Sequence, residues 1–433
     1  MDHARHALIA VCLGLLAATA GCGFLAGGGA GSPTPPTATV GSGDATTTAA
    51  VTARPERPAS TTTATPTARE GDLVTVGDNR TVNATLVFER VERLHGVDAE
   101  RPTIVVGDGD ERTVAAFDNP FFRAFDLTGT VGAGGRATAG REVFLDEDTV
   151  ALETVLVHEF AHIVHQQQRW YPTGMISVSY DEGVAAYSVG EGGAEYTVEA
   201  YADRFDDEEI AGLQRNRQIY EHTDNALRLF TARYVTGATY VRSRVSSPSE
   251  LEPVLSSPPE TTEAVLHPER NVSLGNLTVS TVDGNWSVVP GHYPSDADRR
   301  GELLVRELLR LELDRAVADS AADGWDNDRS LTLVAPDGNE TAVAWTLRWE
   351  NRTEADEFAA AFDRFAERRA ANSSLRFSSE RVAPETVTVF AGNETFVDGA
   401  TATGSNESVW IAAPGVDGEA GATTDLSRPE RSG

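Results

Sequence analysis

The five residues His158-Glu159-Phe160-Ala161-His162 restrict this chain more than any other stretch, because their chemistry works together in only one local conformation. Side chains four apart on an α-helix stand one turn above each other, so both imidazoles project from one face and can hold the same metal ion. Glu159 falls beside that face, where a carboxylate can take a proton from a metal-activated water and later pass it to a leaving amine. The preceding run, residues 149–157, is apolar at helical spacing with Asp148 or Thr149 available as N-cap, which predicts a buried helix. Just upstream, Arg141-Glu142-Val143-Phe144-Leu145 alternates as a half-buried strand does. It is expected to form the cleft edge that holds an extended peptide.

A third ligand must come from further along, and two segments look alike: Asp181-Glu182-Gly183-Val184-Ala185 and Gly190-Glu191-Gly192-Gly193-Ala194-Glu195. Each offers a carboxylate, then glycine, then alanine, which lets a second helix approach the first. Residues 163–181 separate His162 from Glu182, and residues 163–190 separate it from Glu191. Spacing favours Glu182, because compact zinc peptidases of the thermolysin kind place their glutamate about that far downstream. Local pattern favours Glu191, since Glu-Gly-Gly-Ala-Glu-Tyr resembles the Asn-Glu-Gly-Phe-Ala element of the aminopeptidase N family. We take Glu191 as the ligand and Glu182 as the alternative, with Glu195 and Glu199 as outer or solvated carboxylates. His165 follows His162 on nearly the same face and is expected to line the cleft, because a catalytic zinc keeps one position open for water.

With these elements the chain resembles the gluzincins, zinc peptidases with an HExxH helix and a downstream glutamate. The resemblance implies Zn2+ as cofactor, a peptide or protein substrate, and Glu159 as the base. It also implies a tyrosine in a Tyr-x-x-Gly context that steadies the oxyanion of the tetrahedral intermediate; Tyr234-Val235-Thr236-Gly237 has that form. A core tyrosine on a helix over residues 226–241 is the other reading of Tyr234. Across residues 72–390 the chain also resembles a group of surface proteins of halophilic archaea and some bacteria, for which no substrate is known. The shared features are HEFAH, the glutamine run Gln166-Gln167-Gln168, the EGGA element, Tyr-x-x-Gly, Glu263 to Arg270, and Gly324-Trp325-Asp326-Asn327-Asp328-Arg329. No Gly-x-Met-Glu-Asn element precedes the helix; Gly132-Ala133-Gly134-Gly135 stands near that place, so capture of a free amino terminus has no support. A non-catalytic surface glycoprotein with a retained zincin scaffold and a binding or adhesive role is the alternative function.

All 36 basic residues are arginine, against 66 acidic ones, for a formal net charge of −30. Such a surface repels nucleic acid and anionic membranes and suits a protein that stays hydrated in concentrated salt. Residues 1–21 read as an export signal whose apolar run, 7–20, is too short to span a bilayer. Thr19-Ala20-Gly21-Cys22 resembles a lipobox, implying lipid attachment at Cys22 and a membrane-tethered position at the cell surface. The one other cysteine, Cys12, lies inside that signal, so the domains contain no internal disulfide. Residues 22–71, rich in Ser, Thr, Pro and Gly, read as a stalk. Ten Asn-x-Ser/Thr sequons are glycosylation candidates: Asn79 and Asn83 before the motif, then Asn271, Asn276, Asn285, Asn339, Asn351, Asn372, Asn393 and Asn406. None falls between Asn83 and Asn271, which leaves the presumed cleft uncovered.

The length accommodates two α+β units, a zincin-like catalytic domain over 72–255 and a smaller accessory domain over 256–415, before a disordered tail at 416–433. In the first unit an amphipathic helix is expected near residues 85–94 and a strand near 103–106. Phe121, Phe122 and Phe125 would pack in its core or line a substrate wall. In the second unit a helix is expected over 301–317, strands over 330–334 and 343–349, and a helix over 355–368. Trp325, Trp345 and Trp349 would build its core.

Overall fold

The computed structural model describes residues 73–415 except 78–79, 108–112, 118, 133–134, 139–140, 173–176, 206–211, 224, 283–284 and 290–297. The expected export signal, Cys22, the stalk, Asn79 and the tail lie outside the described residues. The class is α+β with mixed sheets. Hairpin β1 (Leu73–Val76) and β2 (Arg80–Asn83) leads into α1 (Ala84–His95), followed by β3 (Thr103–Gly107), β4 (Thr113–Phe117), α2 (Pro120–Ala124), β5 (Gly129–Gly132), β6 (Gly135–Thr138) and β7 (Glu142–Asp146). Four longer helices follow: α3 (Leu152–Gln167), α4 (Tyr180–Phe205), α5 (Gly212–His222) and α6 (Asn225–Arg244). Short helices α7 (Glu252–Ser256) and α8 (Thr262–Leu266) precede β8 (Thr278–Thr281) and β9 (Ser287–Val288). The remainder runs α9 (Glu302–Leu309), α10 (Arg315–Ala322), β10 (Trp325–Val334), β11 (Thr341–Trp349), α11 (Arg352–Ala370), β12 (Arg376–Ala383), β13 (Thr386–Gly392), α12 (Glu394–Gly399), β14 (Thr401–Gly404) and β15 (Ser408–Ala412). Among the described residues no helix is long and apolar enough to cross a membrane.

Helix α1 forms where expected. The Asn83 side chain caps it by accepting the Leu86 N–H at 3.0 Å, and Val87, Phe88 and Val91 make a buried stripe against α3, with Phe88 edge-on to Phe160. The metal-motif helix departs from expectation at its start. It begins at Leu152 with no side-chain cap, because the Thr149 hydroxyl is spent on the Asp146 carbonyl at 2.7 Å in the turn after β7. The strand before it also departs. β7 lies in the middle of its sheet, parallel to β3 and antiparallel to β6, so β3 and β6 are the edges. Two ladders suit β7 because Val143 and Leu145 are wholly buried. β6 then lies directly on α3: a Cβ at Gly135 would stand 2.5 Å from Val155 Cγ1 and 3.2 Å from Glu159 Cγ, a space only glycine fits.

Helices α4 and α6 cross in backbone contact. A Cβ on Gly192 would meet the Gly237 carbonyl carbon at 2.2 Å, and one on Gly237 would meet the Ser188 oxygen at 1.7 Å. These glycines belong to the EGGA and Tyr-x-x-Gly elements, so both strings encode one close helix crossing.

Downstream, a five-stranded antiparallel sheet, ordered β12-β13-β11-β10-β9, packs under α9, α10 and α11 around Trp345, Trp349, Phe358, Phe362 and Phe365. Phe121, Phe122 and Phe125 enter the same core, Phe121 edge-on to Trp345 at 5.5 Å, so they line no substrate wall. One continuous apolar cluster thus joins residues from both sides of position 255. The helix expected over 301–317 is broken into α9 and α10, because Asp314 takes an extended, N-cap-like conformation (ψ 146°) and starts a new helix. In the Gly-Trp-x-x-Asp-Arg element, the buried Asp328 carboxylate accepts four N–H groups: backbone Arg300 and Gly301 at 2.7 and 2.8 Å, and the indoles of Trp345 and Trp325 at 3.0 and 3.1 Å. The element is a buried clasp between α9 and the sheet.

Candidate metal centre

Helix α3 presents His158 and His162 one turn apart, and α4 brings Glu191 against both. His158 Nε2 and His162 Nε2 are 3.0 Å apart, and Glu191 Oε2 stands 3.2 and 3.3 Å from them. All three side chains are buried, and they form a group spaced to hold a metal ion. Ligand atoms at roughly 2.0–2.1 Å from a tetrahedral zinc stand about 3.3 Å from one another, so the triangle has the size of one face of such a tetrahedron.

The hydrogen bonds behind the imidazoles explain their aim. His158 Nδ1 lies 3.1 Å from Glu195 Oε1, which also accepts from Asn216 Nδ2 at 2.9 Å. A carboxylate can only accept, so Nδ1 carries a proton and Nε2 is the nitrogen left facing Glu191, the one a metal would take. His162 Nδ1 lies 2.9 Å from the Tyr171 hydroxyl. Burial opposes charge on His158, but its hydrogen bonds to the Glu191 and Glu195 carboxylates outweigh it and push the imidazole up to about 10, so without metal it is a cation that donates to both. Burial holds His162 below its ordinary value, and Glu191, despite burial, is held far below the carboxylate range by the two histidines. The cluster therefore stabilises positive charge at its centre.

Other residues fall as follows. Glu182 is not in this group: it lies at the start of α4, where its carboxylate accepts the Val178 N–H at 2.6 Å. Glu199 pairs with Arg242 on the surface. Glu159 is wholly buried beneath Gly135 on β6, on the face flanking the histidines. Tyr234 belongs to the apolar core, yet its ring centre is 6.1 Å from that of His158 and its hydroxyl is 3.4 Å from the Tyr187 hydroxyl, so it borders both core and site. His165 points away from the cleft it was expected to line; its Nδ1 meets the Tyr171 hydroxyl at 3.1 Å and its Nε2 meets His95 Nε2 at 3.0 Å. The sequence offered no signal for Tyr171, His95 or Asn216, which lie on other elements and reach the centre only by folding.

Several sequon asparagines have structural work: Asn83, Asn351 and Asn393 cap α1, α11 and α12. The Asn406 amide bonds Glu385 and that of Asn339 bonds Asp337. Asn271, Asn276, Asn285 and Asn372 are exposed.

Residues 289–421 match a family described as a domain of unknown function, DUF8575. That stretch holds β10 to β15 and no residue of the metal group. No curated protein and no solved structure matches the chain.

Proposed function

We propose that this chain is a gluzincin-type zinc metallopeptidase that acts outside the cell, tethered through a lipid on Cys22, on a peptide or protein substrate. The observation that carries the reading is the convergence of two imidazole Nε2 atoms and one carboxylate oxygen within 3.3 Å of one another. A buried carboxylate this close to two imidazoles needs a positive charge beside it: without metal a proton on His158 supplies it, and a metal ion would take that proton's place. Neutral imidazole and carboxylate suit zinc, and three protein ligands leave a fourth position for water, the arrangement of a catalytic rather than a structural site. Zinc there supplies Lewis acidity, lowering the pKa of water toward neutral and polarising a carbonyl.

The chain's own groups have these parts. Glu191 completes the donor set, Glu195 fixes His158, and Glu159 takes a proton from water and delivers it to the departing amine. Tyr234 would donate from its phenol to an oxyanion that forms only during reaction, a part supported by its ring lying 6.1 Å from that of His158. The edge strand β6 supports the peptide reading, since its outer backbone groups can pair with an extended chain beside Glu159.

Burial of the donors favours a second reading, a metal held for stability in a non-catalytic surface glycoprotein with a binding or adhesive role. Glu159→Gln separates the two. In the peptidase it abolishes cleavage of a peptide library, by at least ~100-fold, while zinc content measured by mass spectrometry stays at one per chain. Wild-type protein that retains zinc but cleaves nothing supports the second reading, and unchanged cleavage by the variant removes Glu159 as base.

A further inference from the structure

A backbone carbonyl can only accept a hydrogen bond, so a chain of ambivalent groups that ends on one has a fixed direction. Such a chain runs away from the metal group. His95 Nδ1 lies 2.8 Å from the Val91 carbonyl oxygen and must carry the proton. Burial holds His95 down to about 4, so the ring is neutral and its Nε2 is a bare lone pair. The contact of 3.0 Å between His95 Nε2 and His165 Nε2 then requires the proton on His165. With its Nε2 proton given to His95 and its ring wholly buried, His165 offers Nδ1 as the acceptor at 3.1 Å from Tyr171, whose hydroxyl donates to it. The Tyr171 oxygen is left to accept from His162 Nδ1 at 2.9 Å.

The Thr197 hydroxyl lies beside the relay, 2.9 Å from the Gly193 carbonyl and 3.3 Å from His95 Nε2, and does not set its direction. Run in reverse, the chain would place a proton on His162 Nε2, where it would point at Glu191 and block the lone pair needed there.

We infer that His95, His165 and Tyr171 form a directional hydrogen-bond relay, anchored on the Val91 carbonyl, that sets the tautomer of His162 so that its Nε2 faces the metal position. The inference rests on the zinc reading for its purpose but not for its geometry. These three are positioning residues: none lies in the ligand group, and the most distant acts through two intermediates. The relay also ties α1, α3 and the segment carrying Tyr171 together.

The test uses the full chain with 15N-labelled histidine. Long-range 1H–15N correlation spectra of the zinc-free protein report which ring nitrogen of each histidine is protonated. The relay requires Nδ1–H on His95, Nε2–H on His165 and Nδ1–H on His162; the opposite tautomer at any of the three overturns it. Tyr171→Phe preserves ring volume and removes the hydroxyl. It should weaken zinc binding by roughly 10- to 100-fold with the helical circular dichroism retained. His95→Leu removes the anchor, so His162 should become a mixture of tautomers although it touches no altered atom. A purely structural role for His95 would leave His162 unchanged, and that result refutes the relay. Wild-type protein that shows the three tautomers yet binds no zinc would instead refute the metal reading and leave the relay standing.

Discussion

Replacing Gly237 by alanine sets two physical effects of opposite sign against each other. In an isolated helix the change is favourable by about 1 kcal/mol, because alanine loses less backbone entropy than glycine. In this protein the new methyl would lie 1.7 Å from the Ser188 carbonyl oxygen and 2.5 Å from its carbon, both backbone atoms that no rotamer change can move. An ordinary carbon–oxygen approach is roughly 3.3 Å, so α6 must withdraw from α4 by about 1.6 Å. Overpacking of this kind typically costs 1–3 kcal/mol, and the loss should lie at or above the top of that range because two helix backbones must part. The net expectation is destabilisation of about 2 kcal/mol. Since Glu191 directly precedes Gly192 and Tyr234 lies one turn before Gly237, zinc affinity should fall with stability. Chemical unfolding in concentrated salt, with chelator present so that metal does not contribute, measures the first effect, and zinc titration measures the second. A variant as stable as the parent or more so would show that the crossing is not a backbone contact.

Glu191→Ala should remove most bound zinc, whereas Glu182→Ala should leave zinc content intact and cost about 1 kcal/mol as a lost helix-start hydrogen bond; metal analysis beside unfolding curves distinguishes them. Glu263 offers a pH test: burial and then the charges of Glu302, Glu350 and Asp326 push its carboxyl from 4.5 up to about 8. A group that binds its proton more tightly when folded makes the protein lose stability as pH rises from 4.5 to 8. Glu263→Gln should therefore match the parent near pH 4 and exceed it at pH 8, as unfolding midpoints across that range would reveal. Cys22→Ser should shift the protein from the membrane to the soluble fraction after cell lysis, and unchanged membrane retention would remove the lipid anchor.

Much of the local structure could be read from periodicity alone. Helices α1, α6 and α11 and strands β10 and β11 occupy the stretches where apolar residues recur at the helix or strand period. The misreadings arose where a neighbour decided the outcome. Thr149 looks like an N-cap in sequence, but β7 delivers the Asp146 carbonyl to its hydroxyl. β7 alternates as an edge strand would, and its place in the centre depends on β3 arriving from far earlier in the chain. The helix expected across 301–317 is cut at Asp314, a residue that favours the extended conformation at a helix start when packing permits the turn.

The sequence by itself determined the pair of imidazoles, because four-residue spacing on a helix is a property of backbone geometry and needs nothing from the rest of the fold. It left the third donor open, since Glu182 and Glu191 lie on one continuous helix and differ only in which turn faces α3. In the tertiary structure the Glu191 turn, not the Glu182 turn, stands against the histidines, while Gly192 and Gly237 let α4 and α6 touch backbone to backbone. The aim of those histidines was likewise invisible in sequence, because a tautomer depends on which donors and acceptors stand behind the ring, and here they come from Glu195, Tyr171, His165 and His95 on separate parts of the chain.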